Sequence, residues 1–393
     1  MEKESQYFVY LISCFLNNKT PAFQTVAWNE IYRLSVIHNI TAVIAQEIML
    51  IPDENKPDAE IYSNFRQQLG YTIQNYEIKQ NIIFDVKKIL NESSINHIFV
   101  KGAVIKDLYP VPEFRTSGDI DVIVEKENFD SVKKILCKNT GYNLISENAD
   151  TLIFENGDIN IEIHNNADVD SDYFENIFSL CTKKDGCTYI LDDITHLLYI
   201  VCHMSKHLNY RGAGIRMLMD IDVAVRNIKN FNQDDFIALC NRAGRQKSAQ
   251  VLLSLAAFWF DTPINPYFNF NNELKLLENL EKIIIEGGSF GYKINSVPVS
   301  YVKDIEYKNG KMPLLSKIKI ILKMAFPGSE YLQKCYPYAK KHKWLYPVAC
   351  LNRLWDGLFK KREHTKNVIS QISSGSDVSK IQQELLQELN IID

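Results

Sequence analysis

The sequence predicts an α+β protein in which a small sheet-bearing unit is wedged between two helical regions. Three observations lead to that expectation: helical apolar spacing from Ser5 to Leu90, a set of short β-rich runs after "NESSIN", and a return of helical spacing from Asp193 onward. In "WNEIYRLSVIHNITAVIAQEIML", Ile31, Leu34, Ile37, Ala42, Ile44 and Ile48 fall on or near one broad stripe, so residues 1–90 read as an N-terminal helical region. "HIFVKG", "DIDVIV" and "INIEIHN" read as strands, with the helical "FDSVKKILCKNTG" between the second and third, and this α/β unit occupies residues 91–168. Residues 169–393 form a C-terminal helical region containing "DITHLLYIVCHMSKHL", "GIRMLMDIDVAVRN", "DDFIALCNRAG" and "KSAQVLLSLAAFWF" before a lysine-rich tail.

Composition narrows the partners. A chain of 393 residues that is 46% hydrophobic can bury a large core. A net charge of −4 and a pI near 6.1 give no global attraction for DNA or RNA, so a long nucleic acid is not the expected partner. Eight cysteines lie far apart, the closest pair being Cys181 and Cys187, without a CxxC. That usage fits reduced thiols in a cytoplasmic protein rather than a disulfide framework. The apolar run in "MEKESQYFVYLISCFLNN" is too short and too acid-flanked for a signal peptide or membrane span. Nothing in the sequence fixes an oligomeric state.

The tripeptide Asp-Ile-Asp occurs twice, in "SGDIDVIV" and in "MDIDVAV". In a strand, side chains alternate between faces, so Asp119 and Asp121 project together while Ile120, Val122 and Val124 point the other way. Residues i and i+2 of a strand are roughly 6–7 Å apart. Their carboxylates can therefore reach around two hard cations about 3.5–4 Å apart. "INIEIHN" repeats the pattern, with Ile159, Ile161 and Ile163 on one face and Asn160, Glu162 and His164 on the other. Glu162 thus supplies a third carboxylate. Three carboxylates raise one another's pKa and oppose ionisation, a conflict that a bound divalent metal resolves.

Upstream, "FVKGAVIKDLYP" reads as a strand ending at Lys101-Gly102 and then one or two helical turns. Gly102 permits close backbone approach, the helix start offers N–H groups to a phosphate, and Lys101 and Arg115 add positive charge. Each of these cations also reads as a surface side chain packing its stem on an apolar patch. A polyphosphate held by backbone amides, basic side chains and metals is the chemistry of phosphoryl or nucleotidyl transfer.

These segments, Lys101-Gly102, "YPVPEFRTSGDIDVIV" and "IEIHNN", resemble the stand-alone bacterial, functionally uncharacterised branch of the DNA polymerase beta-like nucleotidyltransferase superfamily. "LLYIVCHMSKH", "RMLMDIDVAV" and "FPGSEYLQKCYPYAKKHKWLYPVACLNRL" are similar to its central and C-terminal helical motifs. The resemblance implies a small mixed β-sheet nucleotidyltransferase core, with Asp119, Asp121 and Glu162 as catalytic and metal-ligating residues. It also implies two Mg²⁺ ions, or Mn²⁺ in their place, and a nucleoside triphosphate as donor. Lys101, Gly102, Arg115, Ser117 and Gly118 are the expected nucleotide-binding residues. One departure is that the superfamily's Gly-Ser or Gly-Gly is replaced by Lys101-Gly102-Ala103 on a longer, proline-broken connection, which shifts phosphate contacts to Ser117, Lys101 or Arg115.

The second Asp-Ile-Asp lies in a helical pattern, where i and i+2 point about 200° apart. Asp220 and Asp222 cannot chelate one ion together. Asp220 follows Arg216 by four residues, the spacing of an intrahelical ion pair. By resemblance it faces the substrate cleft; the structural alternative is a buried pair that fixes helix packing. His203 and His207 sit one turn apart and lack the glutamate of a His-Glu-x-x-His zinc site, so with His164, Arg216 and Asp220 they are candidate cleft residues. Lys340, Lys341, His342, Lys343 and Trp344 form a basic cluster that suits either RNA or a solvated face. The expected reaction moves an NMP from an NTP to an acceptor hydroxyl on a small molecule, saccharide or protein, releasing pyrophosphate. Transfer of a sugar or sugar phosphate from a nucleotide-linked donor, and a non-catalytic antitoxin-like regulator, are the alternatives.

Overall fold

A computed structural model describes residues 1–210, 212–270, 272–288, 314–326 and 345–355, together with Leu385 and Leu389. The basic cluster at Lys340–Trp344 lies outside the described residues. The N-terminal block divides into α1 (Lys3–Leu16), α2 (Trp28–Ile37), α3 (Thr41–Met49) and the 34-residue α4 (Ala59–Glu92). The apolar stripe read across residues 28–50 is broken at Asn39, whose φ of 54° turns the chain between α2 and α3. Its members still share one core: Ile31, Leu34, Ala42, Ile44 and Ile48 are buried against Tyr7, Phe8, Leu11 and Ile12 of α1.

α4 starts at an Asp58 cap whose carboxylate accepts from the Ile61 N–H at 2.9 Å. At 1.5 Å per residue the helix is about 50 Å long, enough to reach from one core to another. Phe65 is buried with α1–α3, whereas Ile82, Val86 and Leu90 are buried against the sheet. The stretch between them, "QQLGYTIQNYEIKQ", is mostly polar and has little to bury. That mid-section is left to line a cleft.

The sheet has seven strands in the order β3-β4-β5-β2-β1-β7-β6. They are β1 (His97–Val100), β2 (Asp119–Val124), β3 (Asn143–Glu147), β4 (Thr151–Asn156), β5 (Ile159–His164), β6 (Cys181–Asp185) and β7 (Thr188–Leu191). β2 runs parallel to β5 and β1 parallel to β7, while the remaining pairings are antiparallel, so the sheet is mixed. Between β1 and β2 the chain forms the single-turn α5 (Gly102–Ile105), and α6 (Phe129–Lys138) follows β2. One face of the sheet carries Ile120, Val122 and Val124 with Leu152, Phe154, Ile161 and Ile163, covered by α6 and the end of α4. The opposite face joins Ile98, Val100 and Ile123 to the large helical core.

Two differences from the sequence reading concern strands. The β3–β4 hairpin and the β6–β7 hairpin both belong to the sheet, and the latter lies beyond residue 168 in a region read as helical. Strands β3 and β6 are edge strands with largely exposed side chains. Such strands lack the two-residue alternation by which a half-buried strand is recognised.

The C-terminal helices α7 (Asp193–Tyr210), α8 (Ile215–Asn227), α9 (Gln233–Arg242) and α10 (Gln246–Phe260) pack on one another and on α1. α11 (Leu274–Glu281) runs into a π-turn at Lys282–Glu286, and α12 (Leu314–Ala325) and α13 (Tyr346–Trp355) follow. Among the described residues no helix is long and apolar enough to cross a membrane.

His38, at the end of α2, is fully buried, with Nε2 donating to the Ile285 carbonyl at 2.9 Å and Nδ1 without a partner among the described residues. Burial, with smaller repulsion from Arg216 and Arg33, pulls its pKa down to about 4. The unfolded chain therefore takes up this proton first as the pH falls, so His38 withdraws stability between about pH 6.5 and pH 4. Thermal melts of wild type and His38→Gln checked across that window should show the wild-type advantage shrinking on acidification; a constant difference would refute the assignment.

Candidate active site

The register of β2 and β5 sets the centre of the site. Asp121 lies directly opposite Glu162, and Asp119 opposite Asn160, in a parallel pairing. Cross-strand neighbours project to the same side, so all three sequence-predicted carboxylates meet on one face. Asp121 is buried, and Glu162 and Asp119 are partly buried.

Lys101 ends β1 in an unusual conformation, φ 54° and ψ −130°. A side-chain-bearing residue held there costs about 1–3 kcal/mol. The position is fixed by its ammonium, which donates to Asp121 Oδ1 at 2.7 Å and to Asp168 Oδ2 at 3.0 Å. Lys206 of α7 holds the other Asp168 oxygen at 2.5 Å and the Asp168 carbonyl at 3.0 Å. His164 donates from Nε2 to Asp121 Oδ1 at 3.1 Å, and its Nδ1 faces the Thr151 hydroxyl at 3.3 Å. Neither Asp168 nor Lys206 was singled out from the sequence; the position of Asp168, four residues after His164 on the strand exit, was the available signal.

The charges are unevenly balanced. Burial pushes the Asp121 carboxyl up, but Lys101 and His164 overcome it and hold the group below its ordinary value. Asp168 is likewise held low, against burial, by Lys101, His164 and Lys206. Asp119 and Glu162 go the other way: burial raises both, and the neighbouring carboxylates raise them further. Two regions of the site are therefore distinct. Asp121, His164 and Asp168 offer ligand atoms within 4.8 Å of one another, a donor set suited to a divalent cation. There, however, the Lys101 ammonium already bridges the two carboxylates. Asp119, Asp121 and Glu162 together carry excess negative charge in hard oxygen donors, which fits Mg²⁺ or Mn²⁺.

Beside Asp119 opens a cleft of about 250 Å³, walled by Gly102, Thr116–Asp119 and the polar mid-section of α4. Gly102 has to be glycine, since a Cβ would stand 2.9 Å from Arg115 Nη1 and from Ser117 Cβ. The N–H groups of Val104 and Ile105 turn back on the Lys101 carbonyl, so the one-turn α5 offers less to a phosphate than the sequence suggests. Lys79 of α4, also absent from the sequence reading, donates to the Ser117 carbonyl and to its hydroxyl at 3.1 Å.

Arg115 lines this cleft, but its guanidinium is committed. Nε and Nη2 reach the two Asp220 oxygens at 2.9 and 2.6 Å, and Nη1 donates to the Thr116 carbonyl at 2.5 Å. Tyr109 donates to Asp220 Oδ1 at 2.6 Å. This corrects the pairing expected from helical spacing. Arg216, four residues before Asp220, donates instead to the Thr116 hydroxyl at 3.1 Å. A buried carboxylate is satisfied by three converging donors from the 109–115 connection, which outweighs a pair worth about 0.2–0.5 kcal/mol when exposed. Asp222 faces away, accepting from Arg226 at 2.8 Å and Thr262 at 2.6 Å. The second Asp-Ile-Asp is split by its helix.

His203 and His207 on α7 meet Nε2 to Nε2 at 3.1 Å, and His203 stacks on Tyr199. Burial and then the Lys101 charge drive His203 well below its ordinary value. No third ligand joins the two histidines in a metal-binding group among the described residues.

The chain matches the family model described as uncharacterised nucleotidyltransferase over residues 24–261, more than half its length. It belongs to the uncharacterised nucleotidyltransferase family. No curated protein and no solved structure matches it. This nucleotidyltransferase is thus a transferase enzyme with a nucleotide substrate, and the matched span contains the sheet, α4, α7 and α8.

In the nucleotidyltransferase the Arg115–Asp220 pair is closed off from water on both sides. Removing one partner leaves a buried charge uncompensated, so Asp220→Ala is expected to cost about 3–5 kcal/mol in urea unfolding, while Arg115→Met with Asp220→Leu recovers most of that loss. A single-variant cost below about 1 kcal/mol, the range of exposed pairs, would overturn the structural role.

Proposed function

We propose that the enzyme transfers a nucleoside monophosphate from an NTP to an acceptor hydroxyl, with release of pyrophosphate, on a DNA polymerase beta-like site. The observation that supports this reading most directly is the convergence of Asp119, Asp121 and Glu162 on one sheet face, in register, with Asp119 also lining a cleft walled by glycine, hydroxyls and cations. Asp119, Asp121 and Glu162 would hold Mg²⁺, two ions on this reading. Bound there, the metal would polarise the phosphoryl oxygens and neutralise charge as it develops.

The chain's own residues account for the rest. Lys101 and His164 keep the Asp121 carboxylate ionised and aimed, so it needs no reorganisation to act as an acceptor of positive charge. Gly102 lets the Thr116–Gly118 segment pack closely on the turn after β1, and Ser117 and Gly118 form the lip next to Asp119. Glu162, beside Asp121 in register, would complete the metal site as third ligand or accept the proton of the attacking hydroxyl. His203 and His207, approaching from α7, would contact the acceptor. An acidic chain favours an acceptor that is a small molecule, a saccharide or a protein side chain, in a cytoplasmic setting.

Metal-dependent pyrophosphate release, assayed with each NTP against a panel of acceptors, tests the reading. Asp119→Ala and Asp121→Ala are each expected to lower kcat/KM by about 10³-fold, a loss of about 4 kcal/mol, and Glu162→Gln by about 10²-fold. Activity that survives in the Asp119→Ala/Asp121→Ala double variant would sink the assignment.

A further inference from the structure

We propose that Lys79 of α4, with Arg216 of α8 beside it, is the binding site for the triphosphate chain of the nucleotide, and that α4 is the nucleotide-facing wall of the cleft. The inference rests on the nucleotidyl-transfer reading and assigns the phosphate contacts to residues outside the α/β unit.

Most cations around the site are already committed to other groups. Lys101 is spent on Asp121 and Asp168, and Arg115 on Asp220. Lys106 lies on the cleft wall but donates to the Ala103 carbonyl at 2.6 Å and pairs with Asp107 at 3.5 Å. Lys79 and Arg216 differ from all three. Neither has a carboxylate within ion-pair distance among the described residues, although both are largely buried. Arg216 also keeps a buried Nε with no hydrogen-bond partner among the described residues.

Burying unpaired cations is costly, and two of them side by side repel each other. The strain is visible in both. Burial draws Lys79 down to about 8, with Asp119 opposing and Arg216 and Arg115 reinforcing the shift. Arg216 is drawn down to about 10 by burial and by Arg115, with Asp220 and Asp119 opposing the shift. Lys79 lines the cleft and Arg216 stands behind its Thr116 wall, so a polyanion seated between Lys79 and Asp119 would oppose both effects. The surroundings have the complementary chemistry: Ser117 and Thr116 offer hydroxyls already touched by Lys79 and Arg216, and Asp119 lines the same cleft at the end where a metal would neutralise the reacting phosphate. Further along the same face of α4, Asn75, Tyr76 and Gln80 line the cleft, placing an aromatic ring and amides where sugar and base would lie beyond the phosphates.

The mid-section of α4 makes sense on this basis. Lys79 is joined to the loop at Ser117 by hydrogen bonds that a phosphate oxygen can replace without moving the helix, because Phe65 on one side and Ile82 on the other anchor α4 in two cores.

Calorimetry on the full chain with Mg²⁺ provides the test, using inorganic tripolyphosphate, non-hydrolysable analogues of each NTP taken singly, and the corresponding nucleosides. Wild type is expected to bind tripolyphosphate and at least one NTP analogue. Lys79→Met and Arg216→Met should each weaken both ligands by at least about 10-fold, roughly the loss of one charge-assisted contact, while Lys79→Arg stays within a few-fold of wild type. Nucleoside binding should be unaffected by Lys79→Met. The ligand-free melting temperature of Lys79→Met is expected to hold or rise, because an unpaired buried charge has been removed. A fall in melting temperature with unchanged tripolyphosphate affinity would show that Lys79 only braces the Ser117 loop, and would overturn the inference while leaving nucleotidyl transfer standing. Wild-type protein that binds tripolyphosphate but no NTP analogue overturns the nucleotide reading itself; binding of neither overturns both.

Discussion

The buried pair between Arg115 and Asp220 ties the sheet to the C-terminal helices, and the geometry of the site depends on that tie. Arg115 closes the connection that leads into β2, and Asp220 sits at the middle of α8. With both ends fixed, Thr116–Gly118 is held against Gly102, and Asp119 enters the strand next to the cleft. A fork of two parallel charge-assisted bonds supplies direction as well as energy. Tyr109 completes the carboxylate's hydrogen bonding, so the charge is both neutralised and satisfied, the condition under which a buried pair is tolerated.

The carboxylates of the site belong to strands, and most of the cations that face them belong to helices or to the strand–helix junction. Lys101 stands at the end of β1, Lys206 on α7, Lys79 on α4 and Arg216 on α8. The sheet brings Asp119, Asp121 and Glu162 together and offsets their repulsion only at Asp121, through Lys101 and His164. The helices supply the rest, unevenly. Asp121 and Asp168 are neutralised by protein, whereas Asp119 and Glu162 are not. This asymmetry is what divides the face into a region already bridged by an ammonium and a region suited to an added cation.

α4 accounts for the shape of the cleft. Its two ends are apolar and buried in separate cores, and its middle is polar. A long helix anchored at both ends behaves as a rigid wall, so side chains along its middle are placed without being packed. Lys79 is one of them. Its contact with Ser117 is invisible in the sequence because a lysine in a polar helical stretch has the same local pattern whether it faces water or a cleft.

The sequence by itself determined the features that depend on local period. The two-residue alternation of "SGDIDVIV" and "INIEIHN" placed three carboxylates on one face, and the helical period of "MDIDVAV" separated Asp220 from Asp222; both follow from backbone geometry over a few residues. The α+β class, with helices flanking a sheet, was legible for the same reason, while the β6–β7 hairpin beyond residue 168 was not. The edge strands β3 and β6 were not, because their exposed side chains carry no alternation. Only the tertiary structure decided which cation meets which carboxylate. Helical spacing paired Asp220 with Arg216, yet Asp220 takes Arg115 from 105 residues away, and Asp168 takes Lys101 and Lys206 from two further elements. Charge pairing is governed by distance and burial in three dimensions, and sequence separation says little about either.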